Sequence, residues 1–170
     1  MAGIPRLSKL AGAGLAALAF AVLAGCASTQ SENEAGLGPG RGSVPPGTQR
    51  DFSANVGDLV YFSSDSSDLT PEGQQTLQKQ ARWLAQYPQY SIMIEGHADE
   101  RGTREYNIAL GSRRAQTVRE FLSRTGISGN RVRTLSYGKE RPVAVCNDIS
   151  CWSQNRRAQT LLNTRSAATN

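Results

Sequence analysis

The sequence of 170 residues contains one histidine, three cysteines and few aromatic side chains, and these shortages exclude several classes of function. With one histidine, a four-ligand zinc site would need carboxylates at unusual spacings, which disfavours a transition-metal hydrolase. Aromatic residues make up 6% of the chain, and its arginines are scattered rather than gathered around them. Without the first 25 residues, which hold two basic side chains, 17 basic and 14 acidic residues leave a charge of only +3. We therefore expect no nucleic-acid partner, no metal and no cofactor.

Residues 1–25 have the pattern of an export signal. Arg6 and Lys9 are followed by an uncharged run over residues 10–24, which is shorter than the roughly 20 residues that a membrane-spanning helix needs. The run ends in Leu23-Ala24-Gly25-Cys26, which resembles the lipobox of bacterial lipoproteins. That resemblance implies that Cys26 is acylated and becomes the first mature residue. The alternative is an ordinary signal with a chance cysteine near the cleavage site.

The residue after the lipobox cysteine bears on the destination of the mature chain. More than one acyl chain gives stable membrane anchoring. Ala27, rather than an aspartate, follows Cys26, and in enterobacterial-type lipoproteins this is compatible with transfer to the outer membrane. We expect a protein anchored by lipid in the outer membrane, with its domain facing the periplasm.

Residues 26–51 are predicted to be a flexible tether that begins at the lipidated cysteine. The segment is rich in glycine, proline, serine and glutamine and has too little apolar surface to offset the entropy of folding. A flexible coil of about 24 residues spans on the order of 25 to 30 Å on average. A domain follows over residues 52–165, and residues 166–170 are predicted to be a disordered tail.

The domain shows alternating strand and helix patterns, which predict an α/β fold of two layers. Thr70 followed by Pro71 is typical of a helix start, and Gly126 of a helix end. We expect a βαβαβ core plus a short helix and a final strand, with the helices packed on one face of a mixed sheet. The predicted strands are Val56–Phe62, Tyr90–Glu95, Val132–Tyr137 and Ala158–Leu162. One helix is predicted to begin at Thr70, a second to span Tyr106–Thr125, and a short helical turn to cover Ser153–Arg157.

Residues 96–115 hold the only histidine, three acids and four arginines, and both chemistry and binding are conceivable there. His97 and Asp99 could ligate a metal, but no second histidine exists. A triad with Ser63 or Ser64 is also arithmetically possible, yet no Gly-x-Ser-x-Gly turn occurs near either serine. We favour His97 as a loop residue that hydrogen-bonds to a neighbouring strand.

The binding hypothesis starts from helical spacing. Asn107 and Arg114 are seven residues apart and so share a helix face, with Leu110 between them. An acid such as Asp99 beside such an arginine suits a zwitterion, because the carboxylate receives an ammonium and the guanidinium grips a carboxylate. The alternative is that Asp99 and Arg114 pair with each other or with surface neighbours such as Arg104.

Cys146 and Cys151 form a close pair in a protein expected to be exported. Such a pair is typical of a disulfide rather than of a metal site. A ring this small constrains the unfolded chain by roughly 2 kcal/mol in the loop-entropy model. We predict a disulfide that pins a loop.

Several spaced motifs closely resemble the OmpA-like peptidoglycan-binding domain family over residues 60–158. They are Gly96-His97-Ala98-Asp99-Glu100-Arg101-Gly102, Tyr106-Asn107-Ile108-Ala109-Leu110-Gly111, Arg113-Arg114-Ala115, Ser136-Tyr137-Gly138 and Asn155-Arg156-Arg157-Ala158. With the lipobox and tether, the whole chain is similar to the lipoproteins of this family, the peptidoglycan-associated lipoproteins.

The resemblance implies a ligand and a set of site residues. Asp99 would meet the ammonium of diaminopimelate in a peptidoglycan stem peptide, and Arg114 would meet its carboxylate. Other positions that the resemblance places at this cleft are Phe62, Asp65, Asn107 and Arg156, or Arg157 in place of Arg156. Leu110, on the helix face between Asn107 and Arg114, completes the predicted set of ligand-binding residues.

The resemblance also implies a cellular role. It predicts a non-enzymatic lipoprotein that links the outer membrane to peptidoglycan, belongs to the Tol-Pal envelope system with TolB as a partner, and acts in cell division. Two alternatives stay open at this point. One is a periplasmic peptidoglycan hydrolase, and the other is a purely structural lipoprotein that contacts other envelope proteins.

Overall fold

The computed structural model describes residues 44–164. The predicted signal, the lipidation of Cys26, the tether before residue 44 and the tail after residue 164 lie outside the described residues. In the described part, no helix combines the length and the apolar character needed to cross a membrane.

Four helices and four strands build the domain, together with two short irregular turns. The helices are α1 (Gln49–Asp51), α2 (Pro71–Gln86), α3 (Arg104–Arg124) and α4 (Ile149–Asn155). The strands are β1 (Leu59–Tyr61), β2 (Tyr90–His97), β3 (Val132–Gly138) and β4 (Arg157–Thr164). A π-helical turn occupies Phe52–Val56, and a 3-10 turn occupies Gly129–Arg131.

The strands form one mixed sheet in the order β1-β4-β2-β3. β2 and β3 run parallel, whereas β4 lies antiparallel to both β1 and β2. The parallel pair is joined by α3, and the core residues Leu77, Leu84, Ile94 and Leu122 are fully buried. The predicted two-layer α/β class is confirmed.

Side-chain caps explain where the helices begin. Thr70 caps α2 as predicted, because its Oγ1 accepts a hydrogen bond from Gly73 N at 3.1 Å. Thr103 caps α3 in the same way, so that helix begins at Arg104 rather than at the predicted Tyr106. Asp148 accepts from Ser150 N at 2.8 Å and starts α4 four residues before the predicted turn at Ser153.

The first predicted strand is too long at its N-terminal end. Val56 belongs to the π-helical turn, which ends at Gly57 in a left-handed backbone conformation with φ of 92°. Phe52 at the start of this turn is 1% exposed and packs its ring edge-on against Trp83, with ring centroids 5.0 Å apart. The Phe52 side chain therefore packs against α2, and the strand begins only at Leu59.

The packed domain also extends before residue 52, its predicted first residue. Gly47 N and Trp83 Nε1 both donate to the carboxylate of Asp51, at 2.9 and 2.8 Å. Tyr90 donates its hydroxyl to the carbonyl oxygen of Gly47 at 2.9 Å. Gly47 and Asp51, which lie in the predicted tether, are therefore part of the folded domain.

Two glycines set the distance between α3 and β2. A methyl group on Gly96 would lie 1.8 Å from the carbonyl oxygen of Gly111, and one on Gly111 would lie 2.5 Å from Ser136 Oγ. The helix backbone therefore lies directly on the strand. This contact fixes α3 relative to the chain that leaves β2 at His97.

We expect Gly96→Ala to lower the free energy of unfolding by about 3 kcal/mol, because the new methyl group meets backbone that cannot move independently. Gly129→Ala is the matched control, since an added methyl group there would meet only the end of Arg119 at 4.0 Å. Urea unfolding followed by circular dichroism measures both variants. Equal stability of the two would show that the close contact is not a constraint.

Candidate functional site

Several of the predicted site residues come together where β2 ends and α3 begins. Asp99 lies two residues beyond β2, and one face of α3 carries Asn107, Leu110 and Arg114. All three are buried, at 2%, 5% and 0% exposure, so the shared face inferred from their spacing is correct. Asn107 Nδ2 donates to the carbonyl oxygens of Arg101 and Thr103, at 2.7 and 3.0 Å, and thereby fixes the loop that carries Asp99.

Asp99 is held between two guanidinium groups. Arg101 binds it in bidentate fashion, with Nε 3.1 Å from Oδ1 and Nη2 2.7 Å from Oδ2. Arg156 approaches from the other side, with Nη1 3.4 Å from Oδ2. Burial raises the pKa of Asp99, but the hydrogen bonds from Arg101 outweigh that effect, aided by Arg156, and hold the pKa below its usual value. Asp99 is therefore a carboxylate at neutral pH.

Arg114 does not pair with Asp99, which contradicts the alternative of a direct pair. Its three nitrogens donate to main-chain carbonyl oxygens: Nε to Ser66 at 2.8 Å, Nη1 to His97 at 2.7 Å and Nη2 to Ser63 at 3.1 Å. Burial lowers the pKa of Arg114 to about 10, an effect that Asp99 opposes. The guanidinium is thus charged, buried and engaged with the 63–66 loop.

An open cavity of about 260 Å³ lies over Asp99. Asp65 stands on its rim with a left-handed backbone (φ 54°), uncommon outside glycine, and accepts a hydrogen bond from the Tyr106 hydroxyl. The predicted residues that line this cavity are Asp65, Asp99, Asn107 and Leu110, and the other lining residues are Ser64, Arg101, Gly102 and Tyr106. Arg114 lies behind this wall.

Two predicted residues line a different groove. Phe62 and Arg156 are 4% and 7% exposed and border a larger groove of about 480 Å³ on the other side of the 63–66 loop. Arg156 Nε donates to the carbonyl oxygen of Phe62 at 3.1 Å while its Nη1 contacts Asp99. The remaining lining residues of this groove are Tyr61, Ser63, Thr70, Glu72, Ser153 and Gln154. The Phe62 ring packs in the core and does not line the Asp99 cavity, but its centre lies 5.2 Å from the guanidinium carbon of Arg114.

The motif offered a choice between Arg156 and Arg157. In the structure, Arg156 reaches Asp99. Arg157 instead donates through Nη2 to the carbonyl oxygen of Arg141 at 3.3 Å and is 4% exposed. Arg157 is the first residue of β4, whereas Arg156 precedes the strand as the C-terminal cap of α4, so the two side chains leave different elements.

Arg101 is the site residue that the sequence reasoning missed. Its side chain is 45% exposed, and besides binding Asp99 it donates to Ser64 Oγ at 2.7 Å. Its guanidinium also lies 4.4 Å from the centre of the Trp152 ring. Arg101 therefore bridges the cavity from the β2 end to the 63–66 loop. Its place two residues after Asp99 was the one available signal.

Cys146 and Cys151 are joined by a disulfide, with their Cα atoms 5.6 Å apart. The loop before it is fixed by Asn155, whose Oδ1 accepts from Val143 N and Ala144 N, at 2.8 and 3.2 Å. These ties position α4, which carries Trp152 to the edge of the cavity.

His97 lies on the face of the sheet opposite the α3 contact. It is 2% exposed, stacks on Tyr137 with ring centroids 5.7 Å apart, and has Glu95 3.8 Å from Nε2. Neither ring nitrogen finds a hydrogen-bond partner in the part of the chain that the structure describes, so the expected bond to a neighbouring strand is wrong. Burial lowers the pKa of His97 from 6.5 to about 4, and the cations of Arg157 and Arg141 add to this effect.

The lowered pKa of His97 predicts a loss of stability in acid. Its neutral form stabilises the fold fully above pH 6.5, and this contribution is lost as the pH falls from 6.5 to about 4. Between pH 7.5 and 5 the free energy of unfolding should fall by about 2 kcal/mol through this group. His97→Asn removes the only histidine, so its urea unfolding should depend less on pH by that amount. The same pH dependence in both proteins would contradict the assignment.

Residues 61–156 match the model of the OmpA family. The chain is 61% identical over 142 residues to the peptidoglycan-associated lipoprotein of Rhizobium meliloti (strain 1021), covering 82% of this chain and 81% of that protein. It is 57% identical over 162 residues to the protein of the same name from Brucella melitensis biotype 1, covering 93% of this chain and 96% of that protein. The crystal structure of the peptidoglycan-associated lipoprotein from Burkholderia pseudomallei superposes with a TM-score of 0.64 at 40% identity, covering 68% of this chain and all of that one. The chain therefore belongs to the OmpA family.

Proposed function

We propose that this chain is an outer-membrane lipoprotein that binds peptidoglycan noncovalently through the Asp99 cavity. The relatives from Rhizobium meliloti and Brucella melitensis are both named peptidoglycan-associated lipoprotein. The observation that carries the proposal is an ionised carboxylate at an open cavity, whose nearest partner, Arg101, is partly exposed and can be displaced. Such a site suits an ammonium group at the end of a flexible side chain. Diaminopimelate in a stem peptide carries that group beside a carboxylate.

Arg114 would serve this ligand in two successive ways. In the free protein it holds the 63–66 loop through the carbonyl oxygens of Ser63 and Ser66. When a stem peptide enters, its carboxylate replaces one of these neutral acceptors. The guanidinium would then face a full negative charge instead of a neutral carbonyl oxygen, and this stronger ionic contact favours the exchange. The loop would then move outward to admit the ligand.

The anchor and the partners complete the proposal. Acylation of Cys26 would hold the N-terminus in the outer membrane, while the tether places the domain within reach of the wall. The family resemblance supports membership of the Tol-Pal system, TolB as a protein partner and a role in cell division. In this proposal the protein binds its ligand without chemical change.

Asp99→Asn should reduce binding to purified peptidoglycan sacculi about 30-fold, equivalent to roughly 2 kcal/mol, because the amide cannot balance the ligand's ammonium charge. Cosedimentation of the full chain with sacculi over a range of concentrations measures the change. Asp148→Asn is the matched control, since it removes the same charge from the exposed cap of α4 and asparagine also caps helices.

Two results would contradict this proposal. A folded Asp99→Asn protein that sediments as well as the wild type would remove Asp99 from the site. Release of cleaved muropeptides by the wild-type protein would instead favour a hydrolase.

Arg101 competes with the ligand for Asp99 in this mechanism. Replacing it by glutamine removes the competing guanidinium but leaves a side chain that can still hydrogen-bond. We therefore expect Arg101→Gln to bind a diaminopimelate-containing tripeptide about fivefold more tightly, as measured by isothermal titration calorimetry. Weaker binding would mean that Arg101 contacts the ligand rather than competing with it.

A further inference from the structure

The groove beside the Asp99 cavity has a lining that the function above does not use. Its volume of about 480 Å³ exceeds the 260 Å³ of the cavity and lies within the range of sites that hold small-molecule ligands. The groove runs beside β1, which is an edge strand of the sheet. It is therefore open along one side.

An exposed aromatic ring is the main apolar feature of this groove. Tyr61 is 48% exposed, although its neighbours Val60 and Phe62 are 2% and 4% exposed. The alternation along β1 turns the Tyr61 ring away from the core. An aromatic face carries negative potential, so it attracts the weakly positive C–H bonds on the apolar face of a pyranose ring.

Hydrogen-bonding side chains line the groove around this ring. Ser153 Oγ and Gln154 Nε2 both donate to the carbonyl oxygen of Ser150 at 3.0 Å, which holds these two side chains in place. Two charged residues also line the groove: Arg156, which is engaged with Phe62 and Asp99, and the exposed Glu72, whose carboxylate can accept hydrogen bonds from sugar hydroxyls. An aromatic ring among hydroxyl, amide and carboxylate groups suits the hydroxyl and acetamido groups of a sugar.

The groove and the Asp99 cavity adjoin each other. Ser63 lines the groove, whereas the next two residues, Ser64 and Asp65, line the cavity. Arg156 lines the groove and contacts Asp99, a lining residue of the cavity, at 3.4 Å. A branched ligand with a sugar at its branch point could therefore occupy both spaces at once.

We propose that this groove binds the glycan part of the peptidoglycan ligand, with an N-acetylhexosamine ring stacked on Tyr61. The stem peptide attached to that glycan enters the Asp99 cavity. This inference rests on the proposed peptidoglycan-binding function and adds a second subsite to it.

The test compares two ligands on the full chain in detergent by isothermal titration calorimetry. One is a diaminopimelate-containing tripeptide, and the other is the same tripeptide on its disaccharide. We expect the disaccharide to increase affinity about tenfold. Tyr61→Ala should remove most of this gain and leave the affinity for the free tripeptide unchanged. Tyr61→Phe, which keeps the ring, should keep the gain.

Gln154→Ala provides a second variant in case Tyr61→Ala does not fold, which a thermal melt would reveal. Gln154 is an exposed residue of α4, where alanine is well tolerated, and its loss should reduce the gain severalfold.

The outcomes separate this inference from the proposed function. Failure of the wild type to bind either ligand would overturn both. Equal affinity for the two ligands would overturn the glycan subsite alone, as would a gain that survives in Tyr61→Ala and Gln154→Ala. A gain from a longer peptide without sugar, lost in Tyr61→Ala, would assign the groove to a peptide strand paired with β1.

Discussion

The wall of the Asp99 cavity depends on one buried guanidinium, that of Arg114. It joins the end of β2 to the 63–66 loop by donating to the carbonyl oxygens of His97, Ser63 and Ser66. Burying a charge is costly unless hydrogen bonds satisfy it, and loss of the side chain would leave main-chain acceptors without donors. Lysine has no planar fork with which to reach three carbonyl groups. The wall of the cavity therefore takes its shape from a residue that does not line it.

The two arginines that contact Asp99 differ in exposure, and this difference would make one of them easier to displace than the other. The Arg156 side chain is 9% exposed and is fixed by the carbonyl oxygen of Phe62, whereas the Arg101 side chain is 45% exposed. A partly exposed ion pair contributes little free energy because water and salt screen it. Displacing Arg101 is therefore inexpensive, and a cation that replaced it would take over its part in holding the pKa of Asp99 low. In the free protein, the more exposed partner of the Asp99 carboxylate is the Arg101 guanidinium. A ligand's ammonium group would be a cation of the same charge in its place.

The sequence predicts those features of the fold and of the candidate site that depend on neighbouring residues. It does not predict those that depend on main-chain atoms distant in the chain. The cap at Thr70 and the shared face of Asn107, Leu110 and Arg114 follow from short-range geometry. The acceptors of Arg114 are carbonyl oxygens 17 to 51 residues away, and a carbonyl oxygen has no sequence signature. Phe62, which the resemblance places at the cleft, packs in the core, and its ring centre lies 5.2 Å from the Arg114 guanidinium, a contact between residues too distant in the chain for spacing to predict. Arg101 stands in the motif over residues 96–102, but its contacts with Ser64 and Trp152 join distant parts of the chain, which spacing does not predict.

The short helix α4 links the cavity, the groove and the disulfide loop. Seven residues are too few for a helix that is stable alone, so α4 depends on its tertiary contacts. The disulfide and the hydrogen bonds of Asn155 hold the chain around it, and α4 in turn presents Trp152 to Arg101 and leads into Arg156. Both guanidinium groups that flank Asp99 are thus positioned from one element. Because that element is tied down by a covalent bond and a buried amide, Arg156 is held beside Asp99 independently of the more exposed Arg101 side chain.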